Sequence, residues 1–287
     1  MKKLTAFFCG ILVAVLLCSC GNTANAQIAA TTLPVYNFTQ AICENTDLQV
    51  VRLINEEVSC LHDYTLQISQ MQAMEQAEVV VLSGAGLEDF LELPQGKNVI
   101  DASQGITLLE GACHHEEEHH HHEQDAHIWL SPENAKVMAQ NICAGLSTQY
   151  PQHAAVFAEN LDNLLMGLES LDVYAKNALS ELSNRELITF HDGFAYLAES
   201  YDLTILKAME EESGSEASAA ELIELIGLVE EHDLAAIFTE QNGSTSAASV
   251  LARETGAKIY TLDMAMAGNS YFDAMYHNID TLKEALG

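Results

Sequence analysis

Two kinds of hydrophobic spacing alternate along the chain. Short apolar and β-branched runs at 28–33, 48–54, Val79–Leu82 and Asn98–Asp101 have strand length. Between the second and third, Leu66, Ile68, Met71 and Met74 recur at helical spacing and predict a helix over 64–76. Strand and helix in alternation imply a parallel sheet, because each crossover between parallel neighbours needs a covering segment. Ser83-Gly84-Ala85-Gly86 after the third run lacks the full dinucleotide fingerprint and reads as a strand-to-helix turn. Ser131-Pro132 combines a hydroxyl N-cap with proline at the first helical position, opening a helix towards Leu146 that Tyr150-Pro151 breaks.

Phe157, Leu161, Leu164, Leu168, Leu171, Ala175, Leu179 and Leu182 then recur every three or four residues. They predict one helix over 152–182 of about 30 residues, or about 45 Å. Such a length suits a rigid strut between two lobes; a coiled-coil surface is the other use of such a stripe. Strand-like runs resume at 187–190, 203–206, 235–238 and Lys258–Leu262. Ala219, Leu222, Ile223, Ile226 and Val229 line one face of an intervening helix, and the small, acidic stretch 210–218 reads as an exposed loop. The expected fold is α/β: an N-terminal lobe (28–150) and a C-terminal lobe (184–287), each a four-stranded parallel sheet flanked by helices, joined by a linking helix (151–183).

The N-terminus has a different purpose. Lys2 and Lys3 precede an apolar run over 4–17 that is too short for an ordinary membrane span. Leu17-Cys18-Ser19-Cys20-Gly21 resembles a bacterial lipobox, which implies a signal peptide over 1–19, lipid on Cys20 and a polar tether over 20–27 at the outer face of a membrane. Ser19 is small where Leu17 is bulky, favouring Cys20 over Cys18. An extracytoplasmic setting permits disulfides, but Cys43, Cys60, Cys113 and Cys143 allow three pairings. With 42 acidic and 11 basic side chains the formal net charge is −31, a surface that repels nucleic acid and attracts cations.

Cations direct attention to Cys113–Trp129, which holds seven of the twelve histidines. Residues 114–125 carry no apolar side chain and are expected to form a solvated loop that collects metal through His114, His115, His119, His120, His121 and His122. His115-Glu116-Glu117-Glu118-His119 matches the zinc-protease pattern, but nothing apolar flanks it to anchor the helix that chemistry requires. His127, followed by Ile128-Trp129-Leu130, is a candidate fixed ligand. Ligands of open α/β sheets bind beyond the carboxyl ends of strands. His191, Glu240 and Asp263 stand at such ends, and His62 stands in a loop after the second strand. Three imidazoles and a carboxylate make a nitrogen-rich, four-coordinate set that zinc accepts and that manganese and magnesium favour less. His153, His232 and His277 read as surface residues and Trp129 as core.

Leu61-His62-Asp63-Tyr64, Ala126-His127-Ile128-Trp129-Leu130-Ser131-Pro132, Phe190-His191-Asp192-Gly193-Phe194 and Ile259-Tyr260-Thr261-Leu262-Asp263 together resemble, in order, the motifs of the zinc/manganese solute-binding lipoproteins of bacterial ABC importers. The resemblance extends over the mature chain and includes Val79 to Leu91. It implies one metal between two lobes, with His62, His127, His191 and Asp263 as ligands. Histidine at the third position and a His-rich loop before the second resemble the zinc-uptake branch; manganese members more often carry Glu at the third. Two stretches depart from the pattern: Glu57-Val58-Ser59-Cys60-Leu61 lacks the usual Pro-Gly, and Gln241-Asn242-Gly243 replaces a Pro-containing turn. Glu240 is therefore the rival of Asp263 as fourth ligand. The function implied is capture of Zn²⁺ and delivery to a permease driven by an ATPase, by a monomeric, non-enzymatic receptor. A manganese receptor, a zinc-dependent hydrolase and a metal-binding adhesin are the alternatives.

Overall fold

The computed structural model describes residues 26–56, 61, 64–111, 124–209 and 217–287. His62, the histidines from His114 to His122, Cys20, Cys60, Cys113 and the acidic stretch 210–216 lie outside the described residues. In chain order the first half contains β1 (Ile28–Ala30), α1 (Leu33–Ile42), β2 (Val50–Arg52), α2 (Ile68–Gln76), β3 (Val79–Leu82), β4 (Asn98–Asp101) and α3 (Pro132–Gln149). The long helix α4 (Ala154–Ala178) follows. The second half contains β5 (Glu186–Thr189), α5 (Ala195–Ser200), β6 (Thr204–Ala208), α6 (Ala219–Glu231), β7 (Ala236–Glu240), α7 (Ser246–Thr255), β8 (Lys258–Leu262) and α8 (Tyr271–Leu286).

The halves repeat one topology. Strand order is β2-β1-β3-β4 in one sheet and β6-β5-β7-β8 in the other, with every pairing parallel. In each sheet the first strand lies between the second and third, so the winding reverses beside it. The crevice at the carboxyl ends of β1 and β3, and that of β5 and β7, are the places where such sheets receive ligands.

Ser131 caps α3 by accepting from Asn134 N–H, with Pro132 at the first helical position. Helix α4 is 25 residues, about 37 Å, shorter than the apolar stripe suggests. A separate turn at Pro151–His153 precedes it. Beyond its last turn Arg185 Nη2 donates to the carbonyls of Leu179 and Ser180, closing the helix end. It packs on α1 and α3 of one lobe and on α8 of the other, as a strut requires. Two apolar stripes are narrower than the sequence implies. In α2, Met74 is buried while Ile68 is 71% exposed; in α6, Leu225 and Val229 are buried while Ile223 is 69% exposed. Helical spacing identifies a face, but only the neighbouring element sets how much of it is covered.

One core runs through the N-terminal lobe, α4, α5, α8 and one face of the second sheet, and includes Trp129, Phe38, Phe157, Phe238 and Tyr271. A smaller cluster, with Ile188, Phe190, Leu225, Ile237 and Leu251, lies under α6 and α7. Cys43 and Cys143 are buried and free, and burial together with the nearby Cys143 pushes the Cys43 thiol up to about 12. Among the described residues no helix is long and apolar enough to cross a membrane.

Candidate metal centre

In the second sheet the site begins where β5 and β7 end. Leu187, Ile188 and Thr189 are buried, and they bring Phe190 and His191 to the carboxyl edge. Thr189 Oγ1 donates to the His191 carbonyl at 3.0 Å, holding the turn. A Cβ on residue 193 would lie 3.0 Å from His191 Nε2 and 2.4 Å from Met264 Cε, so only glycine lets these groups close over the ring. Glu240, the last residue of β7, is buried with Oε2 3.6 Å from His191 Nδ1. Gly243 is close in the same way: a Cβ there would meet Glu240 Cγ at 2.4 Å.

Asp263 follows β8. Asn278 of α8 brackets its backbone, accepting from Asp263 N and donating to its carbonyl, both at 2.7 Å. The carboxylate accepts from Ala265 N at 2.7 Å. Burial raises its pKa above the ordinary value, against the opposing pull of that N–H and of His277.

The first lobe contributes His127, held by the buried turn Ile128–Leu130. Asp125 Oδ1 accepts from both His127 N and His127 Nδ1 at 2.8 Å. Asp125 is itself fixed, its N donating to the Leu109 carbonyl and its carbonyl accepting from Tyr196 OH at 2.9 Å. The sequence places Asp125 in a solvated polar run; the structure corrects that, since Asp125 is 6% exposed. It was obscured because its neighbours Glu116–Glu118 and Glu123 look alike. The only signal was a carboxylate two residues before a histidine that opens an apolar turn. With Nδ1 taken, Nε2 is the ring nitrogen that serves a ligand.

The two lobes meet at these rings. The centroids of His127 and His191 are 5.3 Å apart, with the planes at 84°, and Trp129 packs edge-on against His127. Trp129, 0% exposed, is core as expected. His153 and His232 pair with Asp47 and Glu186, and the exposed His277 pairs with the Thr261 carbonyl, within electrostatic reach of Asp263. Of the cleft donors, His191 is the one that approaches both His127 and Glu240. Among the described residues, the group of three donors within 4.8 Å of one another is instead Glu133, Glu169 and Asp172. Lys136 bonds Glu133 and Glu169 there, and Lys176 bonds Asp172, so that cluster is an ion-pair network joining α3 to α4.

The family model described as "ZnuA: Zinc-uptake complex component A periplasmic" matches residues 28–285. The chain belongs to this family. Its members are extracytoplasmic solute-binding receptors of ABC importers, not enzymes, which removes the hydrolase reading. The chain is 29% identical over 315 residues to the "High-affinity zinc uptake system protein ZnuA" of Bacillus subtilis, covering 99% of this chain and 98% of that protein. It is 30% identical to the "Zinc-binding lipoprotein AdcA" of Streptococcus pneumoniae, covering 99% of this chain and 61% of that longer protein. The crystal structure of the Zn(II)-bound ZnuA-like domain of Streptococcus pneumoniae AdcA superposes with TM-score 0.76 at 28% identity, covering 91% of this chain and 99% of that one. The two-lobed ZnuA-family fold with its linking helix is thus the architecture of this chain.

Proposed function

We propose that this receptor captures Zn²⁺ between His127 and His191, with His62 as third imidazole and a carboxylate from Asp263 or Glu240 as fourth donor, and delivers it to the permease and ATPase of its importer. The observation that carries the assignment is the approach of the two rings across the lobes. Two imidazoles bound tetrahedrally with Zn–N of about 2.1 Å have centroids about 5.2 Å apart, and the observed separation is 5.3 Å. Asp125 behind His127 gives the outer-shell carboxylate that zinc-bound histidines characteristically have. Nitrogen-rich donors favour zinc over manganese, which prefers oxygen.

Around this site we assign residues 1–19 to a signal peptide, Cys20 to a lipid anchor and 20–27 to its tether. Residues 28–150 and 184–287 form the lobes of a monomer. The Leu17-Cys18-Ser19-Cys20-Gly21 pattern supports the anchor, and the AdcA relative is named a lipoprotein. The run from His114 to His122 loads the site when zinc is scarce.

Metal analysis and chelator competition on the mature chain, purified without a histidine tag, test this. His127→Ala and His191→Ala should each lower zinc affinity by more than the about 10–100-fold that outer-shell partners cost. Deletion of 114–125 should leave the tight site intact. Wild-type affinity in both alanine variants would refute the assignment.

A further inference from the structure

The segment from Asp263 to the start of α8 belongs by sequence to the C-terminal lobe, yet its backbone is bonded to the other one. Trp129 Nε1 donates to the Met264 carbonyl at 2.8 Å. Arg52 Nη2 donates to the Met266 carbonyl at 3.0 Å and Nη1 to the Gly268 carbonyl at 2.8 Å. Asn37 Nδ2 donates to the Asn269 carbonyl at 3.3 Å, and its Oδ1 accepts from Tyr271 N at 2.8 Å. Tyr271 OH closes the series on the Trp129 carbonyl at 2.8 Å. Asn37, Arg52 and Trp129 are all N-terminal-lobe residues.

The apolar side chains of this segment pack the same way. Met264, Ala265, Met266 and Tyr271 are buried in the core that holds Phe38 and Trp129. Ile188 and Phe190, which lead into His191, and Ile237 of β7 are packed in the separate cluster under α6 and α7. The boundary between the two clusters runs through the second sheet, since Leu187 of β5, Ala236 and Phe238 of β7 and Leu262 of β8 belong with Phe38 and Trp129. Ala265 and Gly268, at φ 56° and 74°, bend the chain away from its own sheet after β8.

Arg52 is the centre of this fastening. It is the last residue of edge strand β2, and its third bond runs from Nε to the Ile54 carbonyl. Burial lowers its pKa, opposed by the nearby Tyr36 and Glu56, and the guanidinium stays charged. A partly buried charge spent on three carbonyls is costly unless its planar fork is used in full.

We propose that Arg52 is a positioning residue for zinc capture. Acting through the carbonyls of Met266 and Gly268, it fastens the segment that follows Asp263 to the N-terminal lobe, so that Asp263 is held in place relative to His127 across the cleft. The zinc role rests on the metal-centre reading above; the fastening itself does not. Release then requires the Arg52 bonds to the Met266 and Gly268 carbonyls to give way as the lobes part.

The test uses the mature chain, with zinc release into excess chelator followed by stopped flow and with peptide-resolved hydrogen exchange. Arg52→Met should speed release about tenfold or more, the equivalent of one charge-assisted hydrogen bond. Exchange should quicken over 264–271 and stay unchanged over 187–193. Arg52→Lys, which keeps the charge but not the fork, should fall between and decides the matter if the Met variant does not fold. Wild-type release and wild-type exchange over 264–271 would overturn the proposal, as would a lowered Tm with release unchanged. His191→Ala runs in parallel. If it keeps tight zinc, the metal-centre reading fails instead, and the exchange data, which need no metal, still judge the fastening.

Discussion

At the scale of single residues, the proposed zinc site includes a carboxylate that bonds His127 and not the metal. Asp125 accepts from the backbone N and Nδ1 of His127, which sets both the tautomer and the aim of Nε2. Replacing it with alanine leaves the buried ring free to turn and its Nδ1–H without an acceptor. Asp125→Ala is expected to weaken zinc binding about 10–100-fold, with Asp125→Asn recovering part of the loss through its amide oxygen. Chelator competition reads this, and wild-type affinity in the alanine variant would show that the ring needs no such support. His127 and His191 were readable as candidates because one ends the histidine run at an apolar turn and the other stands at the carboxyl end of a strand, where such sheets bind ligands. Asp125 was not, because one more acid beside an acidic run carries no distinguishing pattern.

Among the elements, the turn after β3 shows how a short motif is held by one side chain. Gly84, Ala85 and Gly86 all have positive φ, and a Cβ on residue 84 would lie 1.9 Å from Asp101 Oδ1, so glycine is required there. Glu88 closes the turn by accepting from Thr31 Oγ1, Ser83 N and Gly84 N. Burial raises its pKa from 4.5 to about 7, against those three donors and with a further push from Asp101. The folded chain therefore binds this proton more tightly than the unfolded chain. The contribution of Glu88 to stability is most favourable below about 4.5 and is lost as pH rises to about 7, on the order of 3 kcal/mol in all. Thermal unfolding of Glu88→Gln across this window should give a flatter profile than wild type; an unchanged slope would place the titration elsewhere. The Ser-Gly-Ala-Gly turn was evident from its residue types, but it leads through further turns to β4 and not into the helix expected; the buried acid that fastens it lay four residues on with no spacing rule to mark it.

For the whole molecule, charge and lobe arrangement act together. A chain with 42 acidic and 11 basic side chains draws divalent cations towards its cleft, and such steering is screened within about 10 Å at 0.1 M salt. Zinc association measured by stopped flow is expected to slow as ionic strength rises while the release rate changes little, since release is governed by short contacts inside the site. Equal salt sensitivity of both rates would assign the effect to the site rather than to the surface.

Periodicity in the sequence was sufficient to determine the parallel α/β character, the repeat of four strands per half, the strut between them and the residue types at the strand ends. These are local properties, set by spacings of two or 3.6 residues and by turn chemistry, and they persist whatever the chain folds against. What tertiary structure alone decided was which strand ends share a crevice, how much of each apolar stripe in α2 and α6 is covered, and that the segment after β8 is bonded to the opposite lobe. Those outcomes join residues such as Arg52 and Gly268, more than two hundred positions apart. They follow from packing and from satisfying buried carbonyls across that distance, for which no spacing along the chain is a guide.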